Sequence, residues 1–155
     1  MWDKARTASE NAKAELPKLA AEYFEEGRKA THSRLSPAEL HRFRLKTKRF
    51  RYTLEIFGTL YGPAFERCLS RLREVQNHLG AISDFATMRD LFHDEPALAA
   101  EMKRRGDRRA AEFRAYWKGE FDAEGEEKRW QHYLGTFAGR KRAVAGVRRR
   151  ESGTT

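Results

Sequence analysis

Between His41 and Leu54 the chain carries Arg42, Arg44, Lys46, Lys48, Arg49 and Arg51, and that stretch contains no carboxylate. Residues of this kind at this density suit the binding of an anion with many charges. Arg can fork onto two oxygens of a phosphate, and Lys supplies a point charge. His41 can donate to an oxygen whether neutral or protonated. Tyr52 offers a hydroxyl, although a packed aromatic is at least as good a reading of it. Hydrolysis or metal binding would need convergent carboxylates. Glu55 and Asp84 read better as local orienters or helix-terminus charges. No catalytic residue, metal ligand or cofactor is assigned, and the expected protein is not an enzyme.

The element that positions these cations begins at Ser36, which can cap free amides. Pro37 suits the first helical position, and Glu39 sits where a capping box places its carboxylate. Gly62 and Pro63 close it, so the rod is about 37 Å long at about 1.5 Å per residue. Leu40, Phe43, Thr47, Phe50, Leu54, Phe57 and Tyr61 recur at spacings of three and four, a seam for other helices. Leu45, Tyr52 and Ile56 form a second apolar stripe. His41, Arg44, Lys48, Arg51 and Glu55 share a third stripe between the two, and Arg42, Lys46 and Arg49 take the remaining face.

A cation row with apolar rows on both sides should be walled in by neighbouring helices. Such a row costs self-repulsion and desolvation, and a polyanion filling the groove would explain it. The competing reading is a solvated face whose long side chains snorkel outward; the pattern alone leaves both open.

Composition agrees with an acidic partner. The 155 residues hold 32 Lys plus Arg against 23 Asp plus Glu, a net charge of +9. Nucleic acid, an anionic membrane surface and inorganic polyphosphate all fit that balance. Cys68 is the only cysteine, so no intrachain disulfide forms, and a buried small side chain is its expected role. No apolar run approaches a bilayer span, and the N-terminus lacks a signal-peptide core, so a cytoplasmic protein without membrane attachment is expected.

The remaining pattern is helical throughout. Residues 8–30 read as an amphipathic helix through Leu16, Leu19, Ala20, Tyr23 and Phe24. Pro17 is awkward in its middle and suggests a start at Leu16. A helix from about 63 to 79 carries Leu69, Leu72, Val75, Gln76 and Leu79, with Arg67, Arg71 and His78 on a shared flank. Gly80 is expected to interrupt it before a short helix over 82–93. Asp94 and Pro96 mark a new start, with Leu98, Met102, Ala110, Phe113 and Trp117 inward. A weaker helix is expected between about 124 and 138, then a basic tail with Arg140, Lys141, Arg142, Arg148, Arg149 and Arg150. Short connections imply antiparallel neighbours. The expected fold is therefore all-α: an antiparallel up-down bundle of about four main helices over 1–118, with a C-terminal extension over 119–155.

The run His41-Arg42-Phe43-Arg44-Leu45-Lys46-Thr47-Lys48-Arg49-Phe50-Arg51-Tyr52, followed by Leu54-Glu55, resembles the signature helix of the CHAD family, the conserved histidine α-helical domain. The family pattern is a His, an Arg three on, a Lys-Arg pair four further, then Arg-Tyr and a Glu. A second block, Leu72, Val75-Gln76, Leu79-Gly80 and Asp84, is similar to the family's downstream pattern. The two blocks span about 36–93.

The resemblance implies an all-helical domain that binds inorganic polyphosphate through a basic channel, without catalysis, at polyphosphate granules. It points to His41, Arg44, Lys48, Arg49, Arg51 and Tyr52. Arg42, Lys46, Arg67, Arg71 and His78 are added by helical placement. Family members are typically twice this length, with two four-helix bundles. This chain has one signature helix, so either one bundle suffices or two copies associate as a homodimer and restore the pair, with Leu45, Tyr52 and Ile56 as one candidate for the extra burial. The alternatives are a nucleic-acid-binding helical domain, which lacks a recognisable recognition motif here, and a structural bundle without a ligand.

Overall fold

A computed structural model describes residues 1–140; the expected basic tail from Lys141 onward lies outside the described residues. Five α-helices follow one another: α1 (Ala8–His32), α2 (Pro37–Phe57), α3 (Phe65–Leu91), α4 (Pro96–Tyr116) and α5 (Glu126–Thr136). A short 3-10 turn, Gly58–Leu60, follows α2, and a π-helical segment, Trp117–Phe121, follows α4. The described residues include no strand. The expected helical bundle is what forms, with α1 against α2 and α5, α2 against α3, and α3 against α4.

Local chemistry sets the helix starts. Thr7 and Glu10 form a reciprocal capping box at α1, and Ser36 and Glu39 form one at α2 with Pro37 in the first turn. Several boundary expectations need correction. α2 does not run to the Gly62-Pro63 stop but ends at Phe57, where the chain tightens into the 3-10 turn. Pro17 does not delay α1, which runs unbroken from Ala8. Its first nine residues bury Asn11, Ala12 and Leu16, and that packing outweighs the lost proline hydrogen bond. Gly80 does not split α3, a single 27-residue helix. A mid-helix glycine costs only about 1 kcal/mol, and Leu79 is fully buried on one side of it with Ile82 packed on the core beyond. At α4, Asp94 is not the cap. Glu95 holds that position without a side-chain hydrogen bond, and Pro96 opens the helix.

The core is aromatic. Trp117, Phe24, Phe113 and Phe121 are almost wholly buried, with Tyr23, Phe43, Phe50 and Trp130 around them. The π-helical segment brings Trp117 and Phe121 into a stack at 4.5 Å. Gly27 makes room for this: a Cβ there would fall 1.9 Å from the Trp117 ring. The stretch expected as an extension packs into the same core as far as Ala138. Trp130 meets Phe24 at 5.6 Å, and the Tyr61 hydroxyl donates to the Leu134 carbonyl at 2.7 Å. The first half of α4 is less engaged, since Leu98, expected inward, is exposed while Phe113 and Trp117 are buried.

Candidate functional site

The rotation of α2 decides what its cations face. Leu40, Phe43, Thr47, Phe50 and Leu54 are buried as the spacing predicts. Phe43 and Phe50 lie 5.5 and 4.9 Å from the Tyr23 ring. The Thr47 hydroxyl donates to the Phe43 carbonyl and shares a 2.9 Å hydrogen bond with the Tyr23 hydroxyl. A buried polar pair of this kind fixes orientation, because misalignment would leave two hydroxyls unsatisfied. With that face locked, the stripe carrying Arg44, Lys48 and Arg51 turns toward α3, and the stripe carrying Arg42, Lys46 and Arg49 turns toward α1.

The α3-facing row is half-buried and poorly paired. Arg44 reaches Ser83 of α3 through a long 3.5 Å hydrogen bond, and its Nε is buried with no partner. The Arg51 side chain is 19% exposed. Its Nε sits 3.5 Å from Glu55 without an aligned hydrogen bond and counts as unsatisfied, and its guanidinium covers the Tyr52 ring at 4.9 Å. Lys48 has no ion-pair or hydrogen-bond partner among the described residues, and Glu55 is the one carboxylate within ion-pair range of the row. Gln76 lies two turns before Ser83 on the same stripe of α3, and its Oε1 is also buried and unpartnered. An orphaned buried polar atom costs about 1–3 kcal/mol.

The α1-facing row meets carboxylates. Lys46 bonds Glu26 at 2.9 Å, and Arg42 lies near enough to help hold the Glu26 carboxyl below its usual range, after the larger effect of Lys46. Glu22, Glu25 and Glu26 share a shallow cleft with Lys46 and Arg49. His41 and Tyr52 are exposed beside the α3-facing row.

Leu45, Tyr52 and Ile56 of the outer apolar stripe are exposed, Ile56 at 73%, so α3 lies on one side of the cation row and no described element covers the stripe on the other. Arg67, Arg71 and His78 are not brought to the α2 row. They occupy the opposite flank of α3. Arg67 and Arg71 pair with Glu126 of α5, and His78 packs on Phe113 and Tyr116. Ser83 meets Arg44, and Gln76 shares its stripe of α3. The sequence shows Gln76 only as a seam residue, and nothing local marks Ser83. Among the described residues no three His, Cys, Asp or Glu side chains converge as a metal would require. No described helix is long and apolar enough to cross a membrane.

No curated protein and no solved structure matches the chain. The model of the CHAD domain family does, over residues 2–93, which takes in α1 through α3 and both basic rows of α2. A match over more than half the sequence, centred on the helix that carries the two basic rows, places this chain in the CHAD family.

Proposed function

We propose that this chain binds inorganic polyphosphate along the α2–α3 groove, as a non-catalytic module. CHAD domains as a class bind polyphosphate. What supports the reading in this chain is a single feature: Arg44 and Arg51 carry buried Nε atoms without partners, in a groove whose α3 wall offers Gln76 and Ser83 rather than carboxylates. Arg44 to Arg51 spans about 10 Å of helix, long enough to engage several phosphates of a chain at once and too long for one. Lys48 adds charge between them. His41 and Tyr52 stand at the rim to donate to outlying oxygens, and Arg42, Lys46 and Arg49 contribute longer-range attraction.

The uncovered stripe of Leu45, Tyr52 and Ile56 fits a second copy of the chain, whose own α2 would supply the missing wall. In this reading Ile56→Glu yields a monomer by light scattering. A wild-type chain that stays monomeric at high concentration with full polyphosphate affinity removes the dimer. A cytoplasmic location at polyphosphate granules follows from the proposed ligand.

The decisive experiment is a binding isotherm for long-chain polyphosphate at two salt concentrations, with duplex DNA as competitor at equal phosphate concentration. Affinity should fall steeply with salt as counterions are displaced, and DNA should compete poorly. Efficient displacement by DNA would replace this reading with a general nucleic-acid binder.

A further inference from the structure

The far halves of α3 and α4 form a hairpin in which no residue from Gly80 to Glu112 is fully buried, although Leu79 and Phe113 on either side are. Between this hairpin and the linker from α1 to α2 lies a groove of about 350 Å³. Leu40, Ile82, Phe85, Met102 and Phe113 make its floor. Leu40 and Phe113 belong to the core, and Ile82 packs on it, but Phe85 and Met102 are half-buried and stand outside it. Phe85 stacks on no other ring among the described residues. At Gly106 the α4 backbone runs close to the root of Phe85, since an added Cβ would lie 3.3 Å from the Phe85 Cβ, and it supplies no side chain to fill the groove.

The groove is lined by four cations and one carboxylate. That carboxylate, Asp107, is shared by Arg34 at 3.6 Å and Lys103 at 3.4 Å, so those two cations are engaged. Arg89 and Arg114 have neither an ion pair nor a hydrogen bond among the described residues. Arg89 is exposed, and water serves it. Arg114 is half-buried, so it has given up part of its hydration without gaining a partner. An unpaired, partly desolvated guanidinium at the end of an apolar trough is complementary to an anion with an apolar body. From Met102 to Arg114 the trough follows about 18 Å of helix, a length that suits a single extended chain better than a compact ring. Its volume lies near the lower limit for small-molecule pockets, about 300 Å³. A second copy of this chain, with a net charge of +9, would bring like charge to these cations.

We propose that this groove binds a medium-chain fatty acid, its carboxylate on Arg114 and its tail running past Ala110 and Gly106 to Phe85 and Met102. Arg can fork onto both carboxylate oxygens, and the tail covers apolar surface that the core leaves unused. The site is independent of the polyphosphate reading. It contains none of Arg44, Lys48 and Arg51, and its α4 edge lies beyond the residues that match the family.

The test is calorimetric titration of the full chain with octanoate, decanoate and dodecanoate below their micelle concentrations. One site should saturate, and affinity should rise about fourfold per added methylene until the groove is full. Decanol should bind at least about tenfold more weakly than decanoate. Arg114→Gln should remove that preference, and Arg89→Gln should keep it. Ala110→Phe fills the groove and should abolish decanoate binding. Because Ala110→Phe could disturb the packing of α3 on α4, Met102→Glu, outside the core, gives a second reading and should abolish binding too. Arg44→Gln, Lys48→Gln and Arg51→Gln together should leave decanoate affinity within about twofold, which separates this site from the polyphosphate groove. No saturable heat up to millimolar decanoate overturns the proposal. So does decanol binding as tight as decanoate, adsorption at many equivalent sites, binding that survives both groove variants, or binding lost with the α2 triple variant.

Discussion

The two basic rows of α2 are made of the same residues at the same spacing, yet they meet different neighbours. Arg42, Lys46 and Arg49 look across at Glu22, Glu25 and Glu26 of α1, and Lys46 closes an ion pair at 2.9 Å. Arg44 of the row with Lys48 and Arg51 meets Ser83 of α3, and two of the row's nitrogens go unpaired. A third arrangement shows what a structural arginine looks like here. Arg28 of α1 donates to both Asp122 oxygens and to Glu127, each at 2.8 Å, which raises its affinity for its proton and ties α1 to the base of α5. The difference teaches that charge count alone does not mark a binding surface. The carboxylates opposite decide whether a cation is paired within the fold or left unpaired.

The strongest way to break that contrast is a matched pair of triple variants. Arg44→Gln, Lys48→Gln and Arg51→Gln should raise the polyphosphate Kd at least about a hundredfold, since each hydrogen bond to a charged group contributes about 1.5–3 kcal/mol. Thermal stability should hold or rise as self-repulsion is relieved. Arg42→Gln, Lys46→Gln and Arg49→Gln should change affinity by less than about tenfold, through long-range attraction alone. Equal losses in the two isotherms would mean that the facing carboxylates do not matter.

A smaller effect tests how the rows are aimed. Thr47→Val removes the hydroxyl that Tyr23 bonds and leaves a buried phenol without its partner. The expected loss is about 1–3 kcal/mol in a denaturant melt. Polyphosphate binding should weaken only to the extent that α2 rolls on its seam. Smaller again is Glu26→Gln, which deprives Lys46 of its partner at the surface. Exposed pairs contribute about 0–1 kcal/mol, so the melting curve should barely move. Polyphosphate affinity should rise slightly as Lys46 is freed. A fall would show that Glu26 supports the site.

Much of this was legible in the chain because it is local. Ser36, Pro37 and Glu39 specify the start of α2, and Leu40 to Leu54 specify its buried face, without help from distant residues. The basic signature and its direction relative to the seam follow from the same spacing. What was not legible depends on tertiary neighbours. Nothing near Arg44 or Arg42 in sequence says which one will face glutamates, because Glu22 and Glu26 arrive from another helix. Arg67 and Arg71 share a flank with His78, as spacing predicts, but their partner Glu126 lies more than fifty residues on. Gly80 looked like a stop because its helix cost is local, while the burial that outweighs it on α3 is not. Leu45, Tyr52 and Ile56 read as a second apolar stripe, and no described helix covers them.

The last and smallest expected effect contrasts the two flanks of α3 through pH. His78 is buried on the α4 side between Phe113 and Tyr116, with Nδ1 unpartnered. Burial lowers its pKa below the ordinary 6.5, and Arg109 of α4 pushes the same way, outweighing Glu74, Glu112 and Glu120. The folded chain therefore binds fewer protons than the unfolded chain just below pH 6.5. Stability is full above that value and declines as pH falls through it. Glu26 and the other carboxyls held below their usual 4.5 lose their contribution only at lower pH, so the two windows separate. Melts between pH 7.5 and 5 should show the decline, and His78→Gln should flatten it. Arg44 and Arg51 do not titrate in this range, and they sit across α3 from His78. A polyphosphate affinity that followed the same midpoint, and lost it in His78→Gln, would mean that the two flanks are coupled through α3 and that the groove is not set by α2 alone.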